Sequence, residues 1–282
     1  MSWTALASPE SLLPALASPD LRIFDCRHDL AQPDAGRVAY DKGHLPGAYF
    51  LHLDEDLSAA KTGHNGRHPL PPPETFLALM RAYGVDADTQ VIAYDEGSGM
   101  FASRLWWMLR WIGHARVAVL DGGLAGWLAA GGSLETVRPA APAPGQLGMR
   151  LQNNTVDAAE LLAALGAPTP IIVDARAPDR FRGENETIDP VGGHIPGARN
   201  RFFRDNLGAD GRFKPAETLR AEWQGLLAGA SPDAVVSQCG SGVTACHNLL
   251  ALEVAGQHGA RLYPGSWSEW CADPQRPVAR GA

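Results

Sequence analysis

The chain is poor in cysteine, has no long apolar run and carries no excess of positive charge, and each shortage excludes a class of protein. Its 282 residues include four cysteines and no Cys-x-x-Cys pair, so we expect neither a disulfide framework nor a standard zinc site. No segment approaches the run of about 18 apolar residues that a membrane span needs. The net charge of −7 argues against general nucleic-acid binding, which needs a basic surface.

The composition is that of a folded protein, with 45% hydrophobic and 20% charged residues. The N-terminus lacks a basic segment followed by a long apolar one, so no signal peptide is expected and the predicted location is cytoplasmic. We expect a monomer that binds neither membrane nor nucleic acid. A chain of 282 residues suggests two domains.

Four short segments occur twice in the same order, which indicates an internal repeat. The pairs are 23–27 with 172–176, 43–48 with 193–198, 91–95 with 235–239, and 122–127 with 265–270. Between the halves, residues 138–148 are rich in proline and alanine and are predicted to form an extended linker. We therefore predict one domain over residues 1–137 and a second, catalytic domain over residues 149–282.

Short β-rich runs alternate with helical patterns in both halves. Strands are predicted at 21–25, 90–94, 116–120, 170–174, 234–238 and 260–263, and helices at 73–83, 100–112, 155–165, 215–228 and 243–256. This alternation predicts an α/β fold in which each domain is a parallel sheet flanked by helices. Catalytic groups of such folds gather at the carboxyl ends of strands. Cys239 and its counterpart in the first half, Asp95, both follow a predicted strand.

The loop that begins at Cys239 is the most informative segment. It joins a predicted buried strand to a helix that starts near Val243 or Thr244. Gly240 and Gly242 allow the turn to curl, so that its amide N–H groups converge on an anion near the helix N-terminus. A sulfur at that position would be stabilised as a thiolate and would act as a nucleophile, and a persulfide would be held in the same way.

The loop could also serve roles other than that of a nucleophile. Cys239 could be a small buried apolar residue, which is the expected role of Cys246 in the helix and of Cys26 in a strand. A cysteine phosphatase or arsenate reductase would need an arginine six residues after the cysteine, where Ala245 stands. A phosphate-binding P-loop would need Gly-Lys followed by Ser or Thr, which this loop lacks.

The repeated Asp-x-Arg and Gly-His-(Leu/Ile)-Pro-Gly-Ala motifs, together with the cysteine loop, resemble the tandem-domain rhodanese superfamily of sulfurtransferases. The resemblance covers nearly the whole chain and implies two rhodanese-like domains. It implies that the first domain is inactive, because the carboxylate of Asp95 cannot carry transferable sulfur. It implies a structural role for His44 and His194, and no metal or organic cofactor.

Within that family the loop Cys-Gly-Ser-Gly-Val-Thr is similar to the 3-mercaptopyruvate form, whereas thiosulfate enzymes usually have Cys-Arg-Lys-Gly-Val-Thr. The likeness implies that Ser241 relays or holds a proton near the thiol. It implies that Arg180 binds the carboxylate or sulfonate of the donor, and that Asp54 and His68 reach the site from the first domain. The remaining donor-binding positions are Gly240, Gly242, Val243 and Thr244.

The chain departs from the animal 3-mercaptopyruvate enzymes in the stretch 183–192, where those enzymes carry a second arginine and this chain has no cation. The second clamp for the donor carboxylate is therefore missing or comes from elsewhere. Pro264 also replaces the aspartate usual before Gly265.

We predict an enzyme that moves sulfane sulfur from a small anionic donor to cyanide or a thiol through a persulfide on Cys239. The favoured donor is 3-mercaptopyruvate. Two alternatives stay open: a thiosulfate:cyanide sulfurtransferase with the same mechanism, and a sulfur-relay module that serves a partner protein.

Overall fold

The computed structural model describes residues 2–281 and shows nine strands and ten α-helices among them. The strands are β1 (Leu6–Ala7), β2 (Leu21–Asp25), β3 (Ala48–Phe50), β4 (Gln90–Tyr94), β5 (Val117–Leu120), β6 (Ile171–Asp174), β7 (Arg199–Asn200), β8 (Val235–Gln238) and β9 (Arg261–Leu262). The helices are α1 (Pro9–Leu12), α2 (Ala35–Lys42), α3 (Pro73–Ala82), α4 (Ala102–Trp111), α5 (Gly123–Ala129), α6 (Ala158–Ala163), α7 (Pro178–Arg182), α8 (Ala216–Leu227), α9 (Thr244–Val254) and α10 (Ser266–Trp270). Within this described range no helix has the length and apolar character needed to cross a membrane.

The chain forms two compact units. The first comprises the residues up to Ala59, Leu70–Asn153 and Ala209–Phe213. Its sheet has the order β1-β5-β4-β2-β3, with every neighbouring pair parallel. β4 is buried along its whole length, as expected for a central strand covered by helices on both faces. Trp127 of α5 and Leu12 of α1 are fully buried in the apolar core against this sheet.

The second unit comprises Ala60–Pro69, Asn154–Gly208 and the residues from Lys214 onward. Its parallel sheet has the order β7-β6-β8-β9. Two tryptophans of α10, Trp267 and Trp270, are fully buried in its core. A single parallel bridge between Thr155 and Leu262 extends the second sheet. In the first sheet the strand β1 takes the corresponding place next to β5.

The predicted α/β architecture is confirmed in both units, and each predicted strand and helix contains an observed one. The helix predicted at 155–165 is shorter, because Asp157 caps its N-terminus and accepts a hydrogen bond from the N–H of Glu160. Sequence patterns did not reveal the strands β1, β3 and β7, or the helices α1, α2, α5, α7 and α10. The predicted domain limits, 1–137 and 149–282, stay a prediction, since segments 60–69 and 209–213 each cluster with the other half.

The repeated Asp-x-Arg motif holds the glycine-histidine turn in each unit. Arg176 forms a buried ion pair with Asp174 at 2.6 Å and donates to the carbonyl oxygen of Gly193 at 2.7 Å. Arg27 makes the same contacts with Asp25 and with the carbonyl oxygen of Gly43. The motif therefore fixes a turn against the end of a strand.

The two histidines of these turns are buried between backbone and aromatic groups. His194 stacks on Phe181 with ring centroids 3.8 Å apart, and its Nδ1 lies 2.8 Å from the carbonyl oxygen of the same residue. His44 stacks in the same manner on Tyr40. These contacts fit the structural role that the sequence analysis assigned to both.

Candidate active site

Cys239 lies at the carboxyl end of β8, and its backbone is held by the start of α10. The N–H of Cys239 donates to Ser266 Oγ at 3.1 Å, and its carbonyl oxygen accepts from the N–H of Trp267 at 2.9 Å. The next carbonyl, that of Gly240, accepts from the N–H of Ser268 at 2.9 Å. These three bonds fix the strand end, so that the residues after Cys239 must turn away from the sheet.

The turn leaves several backbone N–H groups without acceptors. Among residues 2–281 the structure shows no hydrogen-bond acceptor for the N–H of Gly240, Ser241, Val243 or Thr244, although all but Thr244 are buried. A buried donor without a partner costs about 1–3 kcal/mol, so a group of them marks a place where an anion is expected. Gly242 has a φ of +77°, and a Cβ there would overlap with the carbonyl oxygen of Pro264.

The corresponding loop of the first unit shows these donors with an anion in place. The carboxylate of Asp95 accepts four backbone hydrogen bonds at 2.9–3.2 Å, from the N–H groups of Gly97, Gly99, Phe101 and Ala102. Burial raises the pKa of Asp95, and these four donors act against that effect. The N–H groups of the loop after β4 are therefore bonded to the side chain of the loop's first residue, Asp95. The loop after β8 begins instead with the thiol of Cys239.

Ser241 is hydrogen-bonded to a histidine from a distant part of the sequence. Its Oγ lies 2.7 Å from His68 Nδ1, and both residues are buried. His68 belongs to segment 60–69, which clusters with the second unit. The N–H of Arg67 donates to Ser268 Oγ at 3.0 Å and anchors this segment beside α10. The pair can carry a proton close to the thiol.

Arg180, on α7, is oriented by two carboxylates. Its Nε and Nη2 atoms donate to Glu186 at 2.8–3.1 Å, and Nη2 also lies 3.2 Å from Asp189 Oδ2. Nη2 and Nη1 lie 3.6 and 3.8 Å from the position that a Cβ on Gly240 would take, and the bonds to Glu186 are made by Nε and Nη2 alone. The guanidinium group can therefore receive an anion without losing its bonds to Glu186.

Arg67 is a second cation at the same loop, and the sequence analysis did not identify it. Its Nη1 forms an ion pair with Asp189 Oδ1, and its Nη2 lies 2.8 Å from the position of a Cβ on Gly240. Two guanidinium groups thus face one glycine of the cysteine loop. Arg67 thus brings to this loop a positive charge that stretch 183–192 lacks, and no sequence signal connects it with the loop.

The stretch 183–192 supplies negative charge to the site instead of a cation. The side chains of Glu186 and Asp189 are 4% and 2% exposed. Arg180 and the N–H groups of Ile188 and Asp189 lower the pKa of Glu186 against the opposing effect of burial. Burial raises the pKa of Asp189, while Arg67 and Arg180 lower it.

Two of the other cysteines are poor candidates for the nucleophile. Burial is the main cause that raises the pKa of Cys271, to about 11, and it also raises the pKa of Cys26. A neutral thiol is a weak nucleophile. Cys246 lies inside α9, where its Sγ donates to the carbonyl oxygen of Gly242 at 3.3 Å.

Asp54 lies in the first unit, and its place in the site stays a prediction. Its Oδ2 lies 3.9 Å from His28 Nε2, and His28, His52 and Asp54 form a cluster of potential metal ligands. Both ring nitrogens of His52 are already engaged. Nδ1 accepts from the N–H of Asp54 at 3.1 Å, and Nε2 lies 3.1 Å from the carbonyl oxygen of Pro33. In this arrangement both ring nitrogens of His52 contact backbone groups.

Comparison with known proteins places this fold in a family. The model of the rhodanese-like domain matches residues 8–130 and again residues 157–273. The chain belongs to the rhodanese-like family. The predicted family and the two rhodanese-like domains are thereby confirmed.

Individual relatives match over almost the full length of the chain. The "Probable 3-mercaptopyruvate sulfurtransferase" of Pseudomonas aeruginosa is 50% identical over 100% of both chains. The thiosulfate sulfurtransferase of Cricetulus griseus is 34% identical over 96% of this chain and 93% of its own. The crystal structure of SseA from Escherichia coli, described as a 3-mercaptopyruvate sulfotransferase, has a TM-score of 0.81 and 35% identity, and covers 94% of this chain and 99% of its own. These relatives confirm the prediction of a sulfurtransferase enzyme.

Proposed function

We propose that this enzyme takes sulfane sulfur from 3-mercaptopyruvate, carries it as a persulfide on Cys239 and passes it to a thiol or to cyanide. The observation that supports the proposal is the setting of Cys239. The thiol begins a loop in which the N–H groups of Gly240, Ser241 and Val243 are buried and, within residues 2–281, have no acceptor. Two arginines face Gly240 of this loop, and Ser241 is hydrogen-bonded to His68.

In the first half-reaction the thiolate of Cys239 attacks the sulfur of the donor. The new bond is S–S, and the C–S bond of 3-mercaptopyruvate breaks, so that its electron pair passes to the carbon that becomes the methyl group of pyruvate. Arg180 and Arg67 bind the carboxylate through the guanidinium atoms that face Gly240. The loop N–H groups stabilise the anionic persulfide.

One proton must move during this step. The donor enters as a thiol, and pyruvate leaves with one more hydrogen on carbon, so the thiol proton has to reach that carbon. Ser241 and His68, joined at 2.7 Å, are placed to accept and return it. We propose that Asp54 supports this relay, and that Gly240, Gly242, Val243 and Thr244 hold the anion through their backbone.

In the second half-reaction an acceptor attacks the outer sulfur of the persulfide. A thiol leaves as a hydropersulfide and cyanide leaves as thiocyanate, and in both cases the S–S bond breaks and Cys239 returns to a thiolate. The enzyme alternates between two covalent states, so ping-pong kinetics are expected. The proposed cytoplasmic location and monomeric state rest on the sequence analysis alone.

Thiosulfate is the second candidate donor, because the Cricetulus griseus relative is a thiosulfate sulfurtransferase. Cys239 would attack its outer sulfur and sulfite would leave, with no proton to move. The loop carries Gly240 and Ser241 at the two positions where thiosulfate enzymes usually have cations, which favours 3-mercaptopyruvate.

The test is to react the protein with 3-mercaptopyruvate alone and to analyse the Cys239 peptide by mass spectrometry. We expect an adduct of one sulfur atom, about 32 Da, in the wild type and none in Cys239→Ser, together with loss of turnover in that variant. Cys271→Ser is the matched control and should keep both adduct and turnover. A Cys239→Ser enzyme that still turns over would refute the proposal.

A further inference from the structure

We propose that Asp189 sets the charge of the donor that this site accepts, by neutralising one of the two arginines and so disfavouring a dianion. The inference rests on the proposed function and assigns a specificity role to a residue that does not touch the reacting sulfur. It starts from an unusual feature of the site, in which a buried carboxylate connects the two donor-binding cations.

Asp189 contacts both arginines and is closed off from solvent. One carboxylate oxygen pairs with Arg67, the other lies 3.2 Å from Arg180 Nη2, and the side chain is 2% exposed. Because little water surrounds the carboxylate, its charge is weakly screened and acts on any anion bound at Gly240. A bound donor is therefore subject to the charge of Asp189 as well as to the charges of the two arginines.

The charges around the loop add up to zero. Arg67, Arg180 and Arg176 contribute three positive charges, and Glu186, Asp189 and Asp174 contribute three negative ones. Arg176 pairs with Asp174 at 2.6 Å and with Glu186 at 3.4 Å. The positive field that remains comes from the N–H groups of the loop. Such a site suits an anion with one charge.

The two candidate donors differ in charge. At neutral pH 3-mercaptopyruvate carries one carboxylate and a mainly neutral thiol, whereas thiosulfate carries two negative charges. A second charge on the donor gains no further cation here and is repelled by the carboxylate of Asp189. Asp189 would thus act through repulsion, by excluding a donor that the arginines alone would accept.

Removing the charge of Asp189 should shift the donor preference. We expect Asp189→Asn to raise the ratio of kcat/KM for thiosulfate to kcat/KM for 3-mercaptopyruvate about tenfold, mainly through a lower KM for thiosulfate. Asp189→Glu keeps the charge and should keep the wild-type ratio within about twofold. Glu184→Gln is the matched control, because Glu184 lies on the same stretch, its side chain is 57% exposed, and it forms an ion pair with Arg182.

A second variant covers the case in which Asp189→Asn does not fold. Ile188 is 45% exposed, so Ile188→Lys adds a positive charge next to Asp189 without removing a buried contact. It should move the ratio in the same direction, by about threefold.

The outcomes separate this inference from the proposed function. If Asp189→Asn lowers kcat/KM for both donors by one common factor, Asp189 only holds the arginines in place and the inference is wrong, while the proposed function stands. An unchanged ratio in Ile188→Lys would contradict it as well. A wild type that forms no persulfide with either donor would overturn the proposed function, and the inference with it.

Discussion

The Nη2 atom of Arg67 lies 2.8 Å from the point where a Cβ on residue 240 would stand. The cysteine loop thus has room for the arginine only because residue 240 is a glycine. Thiosulfate enzymes of the family usually carry an arginine at this position of the loop. In this chain the charge enters the same region from segment 60–69.

Gly240→Ala should therefore weaken donor binding. The added methyl group must displace the guanidinium of Arg67, and it also lies 3.6 Å from Arg180 Nη2. We expect KM for 3-mercaptopyruvate to rise about tenfold, with a smaller change in kcat, because in the proposed function the arginines bind the donor carboxylate before and after the transfer. Steady-state kinetics with cyanide as acceptor measure both constants.

Gly225→Ala is the control for this substitution. Gly225 lies in α8, and a Cβ there meets nothing within 4 Å, so KM should not change. An unchanged KM in Gly240→Ala would show that neither arginine binds the donor from its position in this structure.

The hydrogen bond between Ser241 and His68 predicts a difference between the two donors. Transfer from 3-mercaptopyruvate needs a proton to move and transfer from thiosulfate does not. We expect Ser241→Ala to lower kcat about 100-fold with 3-mercaptopyruvate and much less with thiosulfate. Equal losses with both donors would contradict a proton relay and would point to a role of Ser241 in shaping the loop.

Much of the fold could be predicted from the sequence because the signals are local. The predicted strand at 90–94 coincides with β4, and the predicted helix at 73–83 contains α3 with one residue to spare. Continuous apolar runs and a proline near the helix start carry these predictions. The two-residue strands β1 and β7 have no period to detect, and they were not predicted, whereas β9, also of two residues, lies inside the predicted strand 260–263.

The site was predictable only in part, for a related reason. Cys239 and Ser241 lie in one loop, and its glycines indicate a turn, so the sequence identifies both residues directly. Arg67 lies more than 100 residues away and shows no periodicity or spacing that connects it with the loop. Its role depends on the ion pair with Asp189 and on the missing side chain of Gly240, and both are relationships in space.

The two loops that follow β4 and β8 should respond differently to loss of their first side chain. Asp95→Ala removes the acceptor of four backbone N–H groups, three of them in buried bonds, so we expect a loss of about 3 kcal/mol in the free energy of unfolding. Cys239→Ala leaves the N–H groups of its loop as they were and should cost about 1 kcal/mol. Urea denaturation of both variants measures the difference, and equal losses would show that the loop after β8 is as fully satisfied as the loop after β4.

Gln238 predicts a stabilising substitution next to the nucleophile. In the first unit the equivalent residue is Tyr94, whose hydroxyl donates to Asp25 at 2.6 Å and accepts from the N–H of Leu45 at 3.2 Å. Gln238 is fully buried, and within residues 2–281 neither atom of its amide has a hydrogen-bond partner. An unpartnered buried amide costs about 1–3 kcal/mol. Methionine has a similar length and no polar hydrogen to satisfy, so Gln238→Met should raise the free energy of unfolding by about 1 kcal/mol.

Urea denaturation tests this prediction, with Gln224→Met as the control. Gln224 is an exposed glutamine of α8, where the same substitution should change stability by less than about 0.5 kcal/mol. Turnover should persist in Gln238→Met, because the backbone bonds that hold Cys239 come from α10 and not from this side chain. A Gln238→Met protein that is less stable than the wild type would mean that the Gln238 amide has hydrogen-bond partners in solution. Gln238 would then not cost stability relative to the hydrogen-bonded Tyr94 of the first unit.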